Sequence, residues 1–404
     1  MSQANLFAYL VGLLAFEAQQ RGSLPGQVNR LAREMWHAAA GTVWSPQPKV
    51  NLPLPELGAL GVEHLCALVG KQVSATAAAM LTAYCRDYPV TIGAPSVPVS
   101  AGHGPPATQE PLYRELLIET TTRLQVLKDK PEETVESTLR ALWQAAAGVP
   151  MSAERASTIA LPALDAAAVA GLRELLAQRF TGVPLAHLTG RQRFMDMELE
   201  VGRAALVPRK ETELLGSAAL AVLRQMADTQ ATLRVIDVGT GAGNLAFALA
   251  THEPKARVYA SDLSTEAVEL ARRNGAQLGL GQRVEFRQGD FLAPFAGGDF
   301  DQNVDLLVCN PPYISSGKVG ALPAEIIGHE PSLAFDGGPF GVRLLQRLLA
   351  EAPQYLRSGG WLAFEVGLGQ GPAIMGRLGR NPAYADLSAV EDATGAIRVV
   401  LARV

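Results

Sequence analysis

The stretch Leu233-Arg-Val-Ile-Asp237-Val-Gly239-Thr-Gly241-Ala-Gly243-Asn244 decides the fold class. Its first six residues are rich in branched side chains and read as a strand. The three glycines let the chain turn tightly and open a helix. A strand, a glycine loop and a helix make the first unit of a parallel α/β sheet. Downstream, strands are expected at Arg257–Ser261, Val284–Gln288, Val304–Cys309, Trp361–Val366, Leu387–Glu391 and Ile397–Ala402. Helical patterns lie between them, notably at Thr265–Gly275 and Gly341–Leu356, and this alternation predicts a mostly parallel sheet. Only Asp392-Ala-Thr-Gly395 joins the last two strands, which predicts a terminal antiparallel hairpin.

Upstream the texture is different. Residues 1–90 and 112–190 are rich in alanine and leucine and read as helical, and Thr91–Pro111 carries five prolines and reads as an extended linker. The two helical blocks align at a constant offset of 148 − 41 = 107 residues. Arg33-Glu-Met-Trp36-His-Ala-Ala-Ala-Gly41 falls on Arg140-Ala-Leu-Trp143-Gln-Ala-Ala-Ala-Gly148, and Leu54-Pro55-Glu-Leu57 falls on Leu161-Pro162-Ala-Leu164. Ser45 also matches Ser152. A shared offset that includes a tryptophan, a proline and a glycine points to duplication. Residues 1–90 are then a degenerate copy of 112–190, and 191–404 form the α/β domain.

With 404 residues, 48% hydrophobic and 18% charged, the chain has ample material for packed cores. A net charge of −4 lacks the basic footprint of a dedicated duplex-nucleic-acid binder. Cys66, Cys85 and Cys309 cannot build a disulfide framework or a four-ligand zinc site, and no metal cluster is visible. A reducing, cytoplasmic location is expected. The apolar run Leu6–Phe16 is too short to cross a bilayer and follows no basic leader.

Three acids end successive strands. Asp237 precedes the glycines, where a carboxylate suits an ammonium group. Asp262 ends the next strand, where an acid takes ribose hydroxyls. Asp290, beside Phe291, ends the third, where the pair suits an adenine amino group and ring. Asp262 alone also suits a nicotinamide dinucleotide, but the three together favour S-adenosylmethionine. The strand Val304–Cys309 then delivers Asn310-Pro311-Pro312-Tyr313. This tetrapeptide suits methylation of a planar NH₂ group, whose delocalised lone pair makes it a poor nucleophile. Asn310 offers a side-chain carbonyl and Pro311 a main-chain carbonyl as acceptors for the two N–H bonds. Consecutive prolines fix the backbone, and Tyr313 can stack on the planar group. Proximity and electrostatics supply the gain without a strong general base. Cys309 is expected to be a small buried packing residue. His329, beside Glu330-Pro331, either lines the site or makes a structural hydrogen bond.

On these motifs the chain resembles the protein-(glutamine-N5) methyltransferases that act on peptide-chain release factors, over about residues 112–404. The resemblance includes Gly182-Val-Pro-Leu-Ala-His-Leu-Thr-Gly190, Val207-Pro-Arg-Lys-Glu-Thr-Glu213, the glycine loop, Asn310–Tyr313, His329-Glu-Pro331 with Asp336-Gly-Gly338, and Gly359–Gly367. It implies a Rossmann-like class I methyltransferase sheet of seven strands, preceded by a helical domain that helps recognise the protein substrate. It implies catalytic and substrate contacts from Asn310, Pro311, Pro312 and Tyr313, with Arg209 and Glu211 also binding substrate. It further implies cofactor contacts from Asp237, Gly239, Thr240, Gly241, Gly243, Asp262, Asp290, Phe291 and Asn310. The implied partner is a release factor in translation termination, methylated at its Gly-Gly-Gln glutamine. A ribosomal-protein glutamine and an exocyclic adenine amine are the other substrates such a site takes; a binding protein with a residual methyltransferase fold is the non-enzyme alternative. Lys210 stands where the family usually has proline, and Phe340-Gly341 where it tends to have Asp-Gly.

The extra block aligns with the recognition domain, but Gly182–Gly190 has become Ala75-Thr-Ala-Ala-Ala-Met-Leu-Thr-Ala83. The first copy is therefore expected to keep its helical core without docking on the sheet. It would then serve as a second substrate grip, a dimerisation element or a remnant.

Overall fold

A computed structural model describes residues 3–20, 28–42, 54–55, 57, 59–71, 73–87, 104–127, 129–392 and 394–404. The first block contains α1 (Gln3–Gln20), α2 (Val28–Ala39), α3 (Ala59–Gly70) and α4 (Ala75–Asp87). The second contains α5 (Glu110–Arg123), α6 (Val135–Ala146), the short α7 (Ala153–Ala156), α8 (Ala166–Phe180) and α9 (Leu185–Thr189). Of the expected linker, residues 91–103 lie outside the described residues, as does the Ser45 match. Its end turns helical, with Pro111 in the first turn of α5, where a missing N–H costs nothing.

A small hairpin, β1 (Arg191–Phe194) and β2 (Met197–Glu200), leads into α10 (Glu213–Ala227). The main sheet follows as β3 (Leu233–Val238), β4 (Ala256–Asp262), β5 (Val284–Gln288), β6 (Val304–Cys309), β7 (Leu356–Glu365), β8 (Asp386–Glu391) and β9 (Ile397–Arg403). Between these strands run α11 (Asn244–His252), α12 (Thr265–Gln277), the short α13 (Ser316–Val319) and α14 (Ala324–Ile327), α15 (Arg343–Tyr355) and α16 (Gly371–Leu378). All seven expected strands are present. The spatial order is β5-β4-β3-β6-β7-β9-β8, with β9 antiparallel to both neighbours. Strand order reverses between β3 and β6, and ligands of such sheets bind at the carboxyl ends beside that reversal. Val238 pairs with Cys309 there, so the glycine loop and Asn310 leave from adjacent strand ends.

Each face of the sheet has its own core. Ile236, Val238, Leu307, Cys309, Leu362 and Phe364 pack with α15 and α16. The opposite residues, among them Val235, Leu306, Val308, Trp361 and Ala363, pack under α10 and α11.

The two helical blocks repeat internal contacts. Trp36 Nε1 donates to Pro55 O at 2.9 Å, and Trp143 Nε1 donates to Pro162 O at 2.9 Å, 107 positions on. Gly41 and Gly148 both close their helices at positive φ. In the first helix the correspondence slips to 106. Gln3 brackets Leu57 through both amide atoms as Gln109 brackets Leu164. Phe7 meets Trp36 edge-on as Tyr113 meets Trp143.

The expectation that the first block lacks docking is overturned. Its buried residues share one continuous core with the sheet face under α10, whereas the second block has a core of its own. The contact is built on α1, which is apolar all round and therefore needs partners on more than one side. Gly12 crosses α10 closely: a Cβ there would stand 2.6 Å from Ala218 O and 2.9 Å from Ala221 Cβ. Asn5 donates to Glu213 at 2.8 Å, Gln225 donates to Leu13 O at 2.9 Å, and Tyr84 donates to Ser217 at 3.2 Å. Arg33 pairs with Glu391 at the end of β8. Residues 75–83 lack the glycines of 182–190, and the first block docks through α1.

Candidate active site

The glycine loop is held open by its own backbone. Gly239, Gly241 and Gly243 have φ of 71°, 55° and 87°, a region that side chains with a Cβ avoid. Gly239 N and Thr240 N donate to Ser261 O, which folds the loop over the end of β4. A Cβ on Gly239 would meet no atom within 4 Å, so space remains above the loop, whereas Gly243 packs on the Phe247 ring.

Asp237 is buried. Its Oδ2 accepts from Thr240 Oγ1 at 2.7 Å and from Ala246 N at 3.2 Å, while Oδ1 has no partner. Burial pushes its carboxyl up to about 7. Asp262 accepts from Gly241 N and Ser264 N, both at 2.9 Å, tying the loop to the end of β4. Burial raises its carboxyl too.

Asp290 and Phe291 differ from expectation in one respect. Both Asp290 oxygens lie 2.8 Å from Arg347 Nη1, and the Arg347 guanidinium stacks over the Phe291 ring at 4.8 Å. The carboxylate is therefore committed to a cation on α15 that the sequence reading did not single out. Phe291 has φ of 59°, a strained value for an aromatic residue.

Around Asn310–Tyr313 four chain segments converge. Asn310 Nδ2 donates to Thr212 Oγ1 at 3.0 Å. Tyr313 donates its hydroxyl to Glu365 Oε1 at 3.0 Å, and Glu211 Oε1 lies at 3.4 Å. Arg398 Nη1 pairs with Glu211 at 2.9 Å, and its Nη2 stands 3.7 Å from Glu365. Burial, then Glu365 and Glu211, push the Tyr313 phenol well above its ordinary range, so it remains a donor. Burial and Glu211 push Glu365 up to about 7. Gln370 closes the turn, donating to Tyr313 O and Gly341 O and accepting from Gly367 N.

Glu211 therefore lies at the site, but Arg209 does not offer a free guanidinium to substrate. It pairs with the buried Glu330 at 2.6 Å, and Glu330 also accepts from Val207 N at 3.2 Å. This pair fixes the Glu330-Pro331 turn of the long segment after Tyr313. The second helical block grips that segment as well: Glu325 binds Lys130 and Arg179, and Arg179 also binds Glu133, all four being nearly excluded from water. His329 makes its contact with Arg203, at 3.4 Å, near His187. Lys210 bridges Glu154 of the second block to Glu213 of α10. Cys309 is buried, as expected. Among the described residues there is no cluster able to hold a metal ion, and no helix is long and apolar enough to cross a membrane.

Thr212, Glu365 and Arg398 escaped the sequence reading. Glu365 and Arg398 carried a signal, since each is a charge flanked on both sides by apolar residues in or beside a buried strand.

Asp237 and Glu365 also make stability depend on pH. A carboxyl raised on folding contributes stability that is full below its ordinary value near 4 and is lost as pH rises through about 7. Denaturation measured from pH 4 to 8 should show this decline, and Asp237→Asn should flatten part of it. An unchanged slope in that variant would reject the assignment.

A glycine loop after β3, acids on successive strand ends and Asn-Pro-Pro-Tyr after β6 define a class I methyltransferase. The sequence pattern of a methyltransferase domain matches residues 229–365. The chain is 41% identical over 239 residues to a release factor glutamine methyltransferase of Moorella thermoacetica, covering 59% of this chain and 81% of that one. Proteins of the same name from Gloeobacter violaceus (37% identity, covering 54% and 74%) and Xylella fastidiosa (39%, covering 59% and 83%) are also similar. The chain belongs to the release factor glutamine methyltransferase family.

Proposed function

We propose that this protein transfers a methyl group from S-adenosylmethionine to the side-chain nitrogen of the glutamine in the Gly-Gly-Gln loop of a peptide-chain release factor. The observation that carries the reading is the orientation of Asn310. Its NH₂ is occupied by Thr212, which leaves the carbonyl oxygen to accept from a substrate amide. A site that must discriminate an NH₂ group needs an acceptor at that point.

The cofactor's amino acid end fits the unpartnered Asp237 Oδ1 and the space above Gly239. Asp262, at the end of β4, would take the ribose hydroxyls, and Phe291 would cover the base. When bound, S-adenosylmethionine supplies an electrophilic methyl group on a sulfonium. Asn310 Oδ1 and the Pro311 carbonyl then accept the two N–H bonds and hold the nitrogen in line. Pro311 and Pro312 fix the direction of that carbonyl, and Tyr313 covers the planar amide. Most of the gain comes from orientation and electrostatics.

The second helical block acts as the recognition domain in this reading. Its buried ion pairs to Glu325 would set the segment that follows Tyr313. The repeated tryptophan and glutamine contacts support descent of both helical blocks from one domain. A cytoplasmic location follows from a release factor substrate.

The test is incubation of unmodified release factor with the protein and S-adenosylmethionine, followed by peptide mass spectrometry. One added methyl group confined to the Gly-Gly-Gln peptide is the expected result. Methylation of a ribosomal protein instead, or none, would overturn the substrate assignment.

A further inference from the structure

We propose that Cys66 and Cys85 form a reversible oxidation site, a dithiol that a peroxide closes to a disulfide, and that the bridge staples α3 to α4 and stabilises the first helical block. The inference does not depend on the substrate reading above.

The chain has three cysteines, and the fold brings two of them together. Cys66 on α3 and Cys85 on α4 are 19 positions apart in sequence, yet their sulfur atoms lie 3.8 Å from each other. A disulfide needs about 2.0 Å, a gap that side-chain rotation and a small helix shift close. The two helices already approach closely beside the pair. Gly70 follows Cys66 by one turn, and a Cβ there would stand 3.6 Å from Ala78 Cβ, two turns before Cys85. Both cysteines are half-buried, so a small oxidant reaches them, whereas Cys309 lies in the core of the sheet.

The second helical block argues against a mere packing role. At the offset of 107 residues the same positions are Arg173 and Gln192. Each turns to a partner elsewhere, Arg173 to Glu115 and Gln192 to Glu132. The repeated framework therefore does not require two thiols in contact.

The hydrogen bond shared by the two sulfurs lowers the Cys66 thiol below its ordinary range and raises that of Cys85. Cys66 is then the nucleophile and Cys85 the resolving thiol. The Cys66 sulfur attacks one oxygen of hydrogen peroxide. An S–O bond forms, the O–O bond breaks, and the departing hydroxide takes the Cys66 proton as water. The Cys85 sulfur next attacks the sulfenic sulfur. The S–S bond forms, the S–O bond breaks, and the second hydroxide leaves as water with the Cys85 proton. Two thiols and one peroxide give one disulfide and two waters; the sulfurs lose two electrons and the peroxide oxygens gain them. A small thiol reverses the step by exchange.

The bridge would act on the contact between the first block and the catalytic domain, because α4 takes part in it. Tyr84, next to Cys85, donates to Ser217 of α10 at 3.2 Å and stacks on Tyr9 of α1 at 3.7 Å. Ser74, just before α4, donates to Glu17 of α1 at 2.7 Å. A bond from Cys85 to α3 fixes the position of α4 and restricts the unfolded chain.

The test uses full-length protein, reduced, freed of reductant and treated with one equivalent of hydrogen peroxide. Free thiols are then blocked and the protein is digested without reduction. Mass spectrometry should find the Cys66 and Cys85 peptides joined and lighter by two hydrogen atoms, with Cys309 still free. Non-reducing gels should show single chains. Oxidation should raise Tm by about 5 °C, and dithiothreitol should reverse both changes. Peroxide should give no such rise in Cys66→Ser or Cys85→Ser. Should either variant fail to fold, the wild-type protein with and without dithiothreitol decides alone. Unlinked peptides, sulfinic acid at Cys66, a bridge between two chains, or a bridge that leaves Tm unchanged would each overturn the proposal.

Discussion

Replacing Asn310 with alanine is expected to lower kcat on release factor by at least about a hundredfold while leaving S-adenosylhomocysteine affinity nearly unchanged. The size follows from what the side chain does. It provides an acceptor fixed in advance, so no reorganisation is needed as the nitrogen approaches the methyl carbon. Alanine removes that acceptor and also leaves the Thr212 oxygen without its donor. Cofactor affinity should persist because the loop at 239–243, Asp237 and Asp262 are tied to one another and not to Asn310. Asn310→Asp makes the point sharper. It restores an acceptor but places a second carboxylate near the buried Glu365, so it should not rescue turnover at neutral pH. Turnover kinetics on purified release factor and calorimetry with S-adenosylhomocysteine separate the two effects. Equal losses in both would show that Asn310 serves the cofactor site instead.

Much of the catalytic half could be read in the sequence because each part carried a local signal. Branched residues marked the strands, and glycines with positive φ marked the turn after β3. The hairpin of β1 and β2 was missed because its turn, Met195-Asp196, adopts φ of 42° and 69° without a glycine. β7 begins at Leu356, five residues before the expected start at Trp361, and runs through Gly359 and Gly360, residues that weaken a strand pattern. Gly360 is there because the backbone runs close to Val304 O. Residues of the glycine loop and of Asn310–Tyr313 were singled out; Thr212 and Glu365, although inside the quoted segments Val207–Glu213 and Gly359–Gly367, and Arg398 on β9 were not, because their places at the site come from contacts across the fold. The resemblance implies a substrate contact from Arg209, but its side chain is tied to Glu330, 121 residues away. Such long-range pairings leave no local pattern.

Deleting residues 1–105 is expected to destabilise the catalytic domain and promote self-association, with the chemistry of the remaining folded fraction intact. Nine residues of α1, Leu6–Val11 and Leu13–Ala15, are almost wholly buried. Part of that burial is against α10, whose own side chains are nearly all buried in the full chain. Each large apolar side chain returned to water costs about 1.5–3 kcal/mol. Even a fraction of the interface then amounts to roughly 4 kcal/mol, or a fall in Tm on the order of 10 °C for a domain of this size. The exposed stripe of α10 would be a new apolar patch, which favours association. The active site lies at the carboxyl ends of β3 and β6, whereas most residues contacted on α10, Ser217, Ala218, Ala221 and Gln225, lie further along the helix; only Asn5 reaches the end near the site, at Glu213. Gly12→Leu tests the same interface without truncation: the leucine cannot fit against Ala218 and Ala221, so it should reproduce part of the loss. Thermal denaturation and light scattering of both variants, together with kcat per folded molecule, decide the matter. A truncated chain as stable and monomeric as the full one would make the first block a remnant, and a rise in KM for release factor without loss of stability would make it a substrate grip.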